Sequence, residues 1–252
     1  MIAKRRDHQA SLIGHPIETP AETEVMLFLI WLKHYPYDIL LAIMFQVHKK
    51  TAKKIHNRMM EWYYNLKKHK ISFKTKAYRD EFKVNLLYED FTVILDGSEQ
   101  EVERSSNPLI DTLFFSGKSF THCINILIFV ALNKDILYLS PSVPGSVGDL
   151  VLARQTESEW GPHLIRDGIM GDEGFNGLEK TGHRVLTSEK FSDFGHIFSS
   201  FRIRVENVLA CIKNWRICKD KLRFKINEKD EILEKHHKIW TIVSIFVNKF
   251  YR

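Results

Sequence analysis

The run Ile124-Asn125-Ile126-Leu127-Ile128-Phe129-Val130 carries one polar residue in seven, and no other feature of the chain restricts the fold so strongly. A strand with one solvated face alternates apolar and polar side chains, so a run apolar almost throughout belongs in a sheet covered on both faces. Other extended phrases surround it: from Val84 onward Phe91 to Leu95, then Cys123 to Leu132 as a whole, then Ile136 to Ser140. The chain therefore reads as α/β, a mixed sheet flanked by helices. An apolar fraction of 44% over 252 residues is ample for its core.

Before the sheet the period is helical. Thr19-Pro20 with Glu22 and Glu24 reads as a helix start with acids in the first turn. A first helix is predicted over Ala21 to His34, ended by Pro36, then a second over Tyr37 to Phe45. A third, from Lys49 to about Lys68, turns Ala52, Ile55, Met59, Trp62 and Tyr63 inward at three-and-four spacing. Residues 1–20, with Lys4-Arg5-Arg6, read as a flexible basic arm. Residues 21–75 read as a small all-α domain with helix-turn-helix layout, and 84–252 as the α/β domain. Within the latter, a helical stretch runs from Asp149 to about Glu159, a short strand covers Ile169 to Asp172, and a helix covers Ser192 to Ile217, firmest from Ser200. An amphipathic helix, Ile232 and then His237 to Phe250, caps the core. No repeat or low-complexity tract interrupts this order.

Charge divides the chain. Residues 1–80 hold 15 Lys/Arg against 7 Asp/Glu, and the remainder 22 against 24. A basic front beside a neutral body points to a polyanion-binding module, the plain alternative being a solvated basic face. Lys49, Lys50, Lys53, Lys54 and Arg58 surround the apolar stripe of the third helix, as on a helix laid beside phosphates. Cys123, Cys211 and Cys218 lack zinc-knuckle spacing, and His236 and His237 adjoin each other, so the cysteines read as reduced packing residues. No apolar stretch approaches the roughly 20 residues of a bilayer span, and the front of the chain lacks an apolar signal core. A soluble, intracellular protein without membrane attachment is expected.

Three acids carry the chemistry. Asp96 closes the run Val93-Ile94-Leu95, Asp149 follows Pro144-Gly145-Ser146-Val147-Gly148, and Glu206 sits in Arg204-Val205-Glu206-Asn207-Val208. Carboxylates on different strand ends and a helix suit a two-metal phosphoryl-transfer site, whose cations stand about 3.5–4 Å apart. Each acid has a plainer role open to it: a turn-forming Asp-Gly pair for Asp96, a helix N-cap for Asp149, a solvated helical acid for Glu206. Asp172, ending its strand, competes for the third place.

The words around these acids, Leu95-Asp96-Gly97-Ser98-Glu99-Gln100, Phe115-Ser116-Gly117-Lys118 with His122, Pro144-Gly145-Ser146 with Asp149, Gly171-Asp172-Glu173-Gly174-Phe175-Asn176-Gly177, and Arg204 to Ile217, together resemble the Harbinger-type DDE superfamily of transposases over about residues 85–218. The resemblance implies a ribonuclease H-like fold after an N-terminal helix-turn-helix. It also implies two Mg²⁺ or Mn²⁺ ions on Asp96, Asp149 and Glu206, with Asp172 as a ligand or a support beside them. DNA would be the substrate, hydrolysed by water and then joined through the freed 3′-OH. Lys118 and His122 are candidates for contact with DNA phosphate or a catalytic carboxylate, the plain alternative being surface groups of a strand, and Arg202, Arg204, Lys213 and Arg216 would meet phosphates along the closing helix. A separate DNA-binding partner protein and a homodimer are both compatible with it. The expected compartment is nuclear in a eukaryote and cytoplasmic otherwise. Two departures stand out: Gly148 where the family carries His, and Ser119-Phe120 where it carries a basic cluster. They open the alternative of a catalytically weakened, domesticated DNA-binding descendant.

Overall fold

The computed structural model describes residues 19–86, 89–165, 167–187, 195–224 and 229–251. The basic arm, apart from Thr19 and Pro20, and the predicted helix start at Ser192 lie outside these residues.

Three helices open the chain: α1 (Ala21–His34), α2 (Asp38–Phe45) and α3 (Lys49–Lys67). Pro20 precedes α1, Glu22 and Glu24 occupy its first turn and Lys33 and His34 its last, each sign complementing the helix dipole. Tyr35 then turns left-handed at φ 45°, and Pro36 prevents continuation. On α3, Ala52, Ile55, His56 and Met60 are buried and Met59 and Tyr63 partly so, but Trp62 is 55% exposed, against the inward position predicted for it. Spacing alone does not explain this, because Trp62 lies seven residues beyond the buried Ile55 and so on nearly the same line of the helix; what packs against α3 decides which part of that line is covered.

A short helix α4 (Lys76–Asp80) leads into β1 (Val84–Leu86) and the long strand β2 (Glu89–Glu101). Then follow α5 (Pro108–Phe114), β3 (Phe115–Ser116), β4 (Thr121–Ala131), β5 (Ile136–Leu139), β6 (Val143–Pro144), α6 (Asp149–Gln155), α7 (Glu157–Trp160), β7 (Gly168–Gly171) and β8 (Arg184–Thr187). The helices α8 (Gly195–Lys213), α9 (Arg216–Lys219) and α10 (Lys229–Phe250) complete the order. β5, β4 and β2 pair antiparallel, whereas β7 and β8 continue parallel from the other edge of β2. The order β5-β4-β2-β7-β8, with three antiparallel strands followed by two parallel ones reached through helices, is the ribonuclease H-like arrangement. The N-terminal helices precede it.

Alternation along the strands explains the uniform apolar run. Ile94, Ile126, Ile128, Val130 and Met170 face a core shared with α8, α10 and the three N-terminal helices. Val93, Leu95, Leu127, Phe129 and Ile169 face a second core with Leu152 and Trp160 beneath α6 and α7. Each fully buried aliphatic side chain contributes about 1.5–3 kcal/mol of transfer free energy, so both faces stabilise the sheet. Polar links also cross the layers. Gln100 on β2 accepts from the Trp240 indole of α10 at 2.9 Å and donates to the carbonyls of Ile217 (2.7 Å) and Asp220 (2.8 Å). The three cysteines are free, Cys123 and Cys218 buried. Among the described residues no helix is long and apolar enough to cross a membrane.

Candidate active site

β2 does not end at Asp96, as the sequence suggested, but continues antiparallel with β4 through Glu101↔Cys123. What ends there is the parallel side. β7 pairs with β2 up to Ile94↔Met170, stops at Gly171, and hands over to Asp172. Extending that register by two residues sets Asp96 beside Asp172 on one side of the sheet, and both line a single cleft with Phe201, Arg202 and Val205 of α8. Open α/β sheets bind ligands at this same carboxyl end of their parallel strands.

Asp149 reaches the same edge from the other face. It is the first residue of α6, where Gly148 occupies the N-cap position, so its carboxylate is not the cap. Its oxygens are instead held from β4 and the β3–β4 turn: the buried Asn125 donates Nδ2 to Oδ1 at 2.7 Å, and Lys118 Nζ lies 3.1 Å from Oδ2. Asn125 also donates to the Val147 carbonyl at 3.1 Å, fixing the turn before α6.

Electrostatically the three aspartates form one group. Burial pushes the Asp96 carboxyl up to about 6. The Gly97 amide, donating to Oδ1 at 2.8 Å, works against that shift, the charges of Asp172 and Asp149 add to it, and Arg202 opposes it. Asp172 accepts from the Gly174 amide at 3.0 Å, opening the turn that follows β7. Glu206 lies apart from this group. It is exposed on α8 and paired with Arg202 at 3.3 Å. Arg202, Glu206 and Lys213 nevertheless share one helical stripe, at steps of four and seven residues. Both flanking cations feel Asp96, Lys213 while burial holds its ammonium below the usual lysine range. Among the described residues no three His, Cys, Asp or Glu side chains stand at metal-holding spacing.

The other candidates are distributed. His122 stands 3.2 Å from Asp111 and edge-on to Phe115. Arg204 donates to the Leu132 carbonyl at 2.6 Å and covers the Phe201 ring. Lys49, Lys50, Lys53 and Lys54 are exposed along α3, and Arg58 is tied to Glu24 on α1. Trp215 is buried, stacked on Phe246. Sequence reasoning missed Asn125, although its signal was present as the lone polar residue in the apolar run. It also missed Glu99, which accepts from Ser116 at 2.7 Å beside Cys123.

The sequence model of one family, described as DDE superfamily endonuclease, matches residues 95–248, more than half of the chain. No curated protein matches it. Among solved structures, the chain is similar to one in a pre-cleavage Mos1 transpososome, at 13% identity over 100% of this chain and 88% of that one, with a TM-score of 0.24. It is also similar to one in the Mos1 transposase paired-end complex with left transposon end, at 12% identity over 100% and 87%, with a TM-score of 0.22.

Proposed function

The chain belongs to the DDE superfamily of endonucleases, and from that membership we propose that it hydrolyses DNA phosphodiester bonds with divalent metal at the edge formed by Asp96, Asp149 and Asp172, with Glu206 of α8 as a further ligand. The observation that carries this reading is the field shared by three aspartates from separate elements, which together with burial holds Asp96 near 6. Such a set fits hard divalent cations: the donors are carboxylate oxygens, and one of them is a half-buried acid whose charge lacks a full counterion. Asp96, Asp149, Glu206 and Asp172 would hold two Mg²⁺ or Mn²⁺ ions, whose chemistry there would be to polarise the attacking water and the leaving oxygen.

The chain's own residues prepare the site. Asn125 orients the Asp149 carboxylate, and Gly97, lacking a side chain, leaves that carboxylate room beside β2. Lys118, 70% exposed at its side chain, neutralises Asp149 and stands where a DNA phosphate would approach. Arg202 and Lys213 offer further positive charge along α8 for the backbone on either side of the scissile bond. The 3′-OH freed by hydrolysis is then the nucleophile for strand transfer. A separate DNA-binding partner, a homodimer and a nuclear location in a eukaryote accompany this reading.

A second reading has its own support. Lys118 seated on Asp149, and Gly148 in place of the family's histidine, suit a descendant that binds DNA without cutting it. Conversion of supercoiled plasmid to nicked circles in Mg²⁺ or Mn²⁺ separates the two. The enzyme reading expects nicking by the wild type and none by Asp96→Asn, and equal nicking by both sinks it.

A further inference from the structure

We propose that the open groove between the end of α3 and the C-terminal part of α10 is a second track for the phosphate backbone of DNA, distinct from the acid cleft. The inference rests on the DNA-directed reading above. The groove encloses about 520 Å³ and is lined by Lys67, Lys70, Lys74 and Lys249, together with Tyr63 and Asn248. No acid lines it. The chain carries no Asp or Glu between Glu61 and Asp80, and none after Glu234. Those two flanking acids are already engaged: Lys238 bridges Glu61 and Glu234, each at 2.7 Å. The four lining lysines therefore contribute an uncompensated positive field, and a concave wall concentrates it.

The walls are fixed in advance. Asn248 donates to the Ile136 carbonyl and accepts from the Ile136 amide, both at 2.9 Å, and the Tyr63 ring packs on Phe246 with centroids 5.1 Å apart. Four lysines lining one open groove suit the successive phosphates of a backbone, each phosphate meeting one ammonium as a point charge. The position is also separate. Ile136 pairs with Val130, which stands opposite Ile94, whereas Asp96 lies opposite Ile128, so the groove is displaced toward the β4–β5 turn. Lys49 and Lys67 bound a helix of 19 residues, about 27 Å at 1.5 Å per step. That is about eight base pairs between the basic start of α3 and the groove.

The test is fluorescence anisotropy of the full chain with a labelled duplex, in EDTA and at several salt concentrations. Lys67→Gln/Lys70→Gln/Lys249→Gln is expected to bind at least tenfold more weakly, with a salt slope smaller by roughly 0.9 per lost contact. The matching triple arginine variant is expected to bind as the wild type. An unchanged slope in the glutamine variant overturns the proposal, as does equal loss in the arginine variant. Loss of binding to phosphatidylserine vesicles with DNA binding intact assigns the groove to membranes and overturns it too. Asp96→Asn is expected to keep the full slope in EDTA while losing the plasmid nicking read separately in Mg²⁺. Persistent nicking there defeats the assignment of the acid cleft and leaves the groove standing.

Discussion

A Cβ on Gly97 would stand 2.5 Å from Asp149 Oδ1 and 2.9 Å from its Oδ2, so the bare backbone of β2 is what admits the Asp149 carboxylate to the edge where Asp96 lies. Contact that close is impossible for a side chain, and Asp149 is itself held from behind by Asn125 at 2.7 Å.

Gly97→Ala is therefore expected to push Asp149 off Asn125. Overpacking of this kind costs about 1–3 kcal/mol, but the larger effect falls on the chemistry, with nicking lowered at least tenfold. Plasmid nicking and thermal melts on the same preparation check it, and wild-type nicking by the variant would show that Asp149 is free to act from elsewhere.

Asp96 makes the metal-free fold pH-dependent. Its carboxyl is raised from an ordinary 3.8 to about 6, so the folded chain holds this proton more tightly than the unfolded one. Below about pH 4 both states are protonated and nothing is lost. Between about 4 and 6 the unfolded chain ionises first, stability falls as pH rises, and above 6 the penalty is complete at about 2–3 kcal/mol, less any relief from solvent. Asp96→Asn removes it. Urea unfolding in EDTA should find the variant more stable than wild type at pH 7.5 and equal to it near pH 4. Equal stability at both pH values contradicts the raised pKa.

Asp172 and Glu206 are separated by their effect on that proton. Asp172 shares the cleft with Asp96 and helps raise its pKa, so Asp172→Asn should lower the Asp96 titration seen by carboxyl NMR. Glu206, exposed and paired with Arg202, should leave it nearly unchanged when made Gln. For cleavage, the family resemblance ranks Glu206→Gln as the costlier change, and the reverse order would transfer the third-acid role to Asp172.

Arg79 anchors the far end of the strands that carry the acids. Its guanidinium is buried against Asp167, with Nη2 to Oδ2 at 2.6 Å, and Thr92 of β2 donates to the same oxygen at 2.9 Å. Arg79→Met leaves Asp167 buried with Lys76 and Thr92 as its side-chain partners among the described residues, and loss of one member of such a pair costs about 3–5 kcal/mol. Denaturant unfolding checks it, and a change under 1 kcal/mol means water replaces the guanidinium.

Local pattern was enough for the sheet and its helices. Ile124 to Val130 demanded cover on both faces, because side chains alternate sides and nearly all of these are apolar. Pro20, the first-turn acids and Pro36 bounded α1 at Ala21 and His34, since caps and proline act within a turn of the helix end. The words around Asp96, Asp149, Asp172 and Glu206 pointed to the family before any fold was visible. Trp62 shows where pattern fails: it fits an apolar stripe by spacing, yet which arc of α3 is buried depends on where α1 and α10 pack. Asp96 likewise looked like the end of a strand, but β2 runs on because β4, contributed from thirty residues later, supplies hydrogen bonds as far as Glu101. Only the tertiary structure decided that Asp172 comes beside Asp96, through the parallel register of β7, and that Asn125 and Lys118 hold Asp149. Those relationships join residues separated by tens of positions, and their geometry is set by strand pairing and core packing rather than by any local preference of the chain.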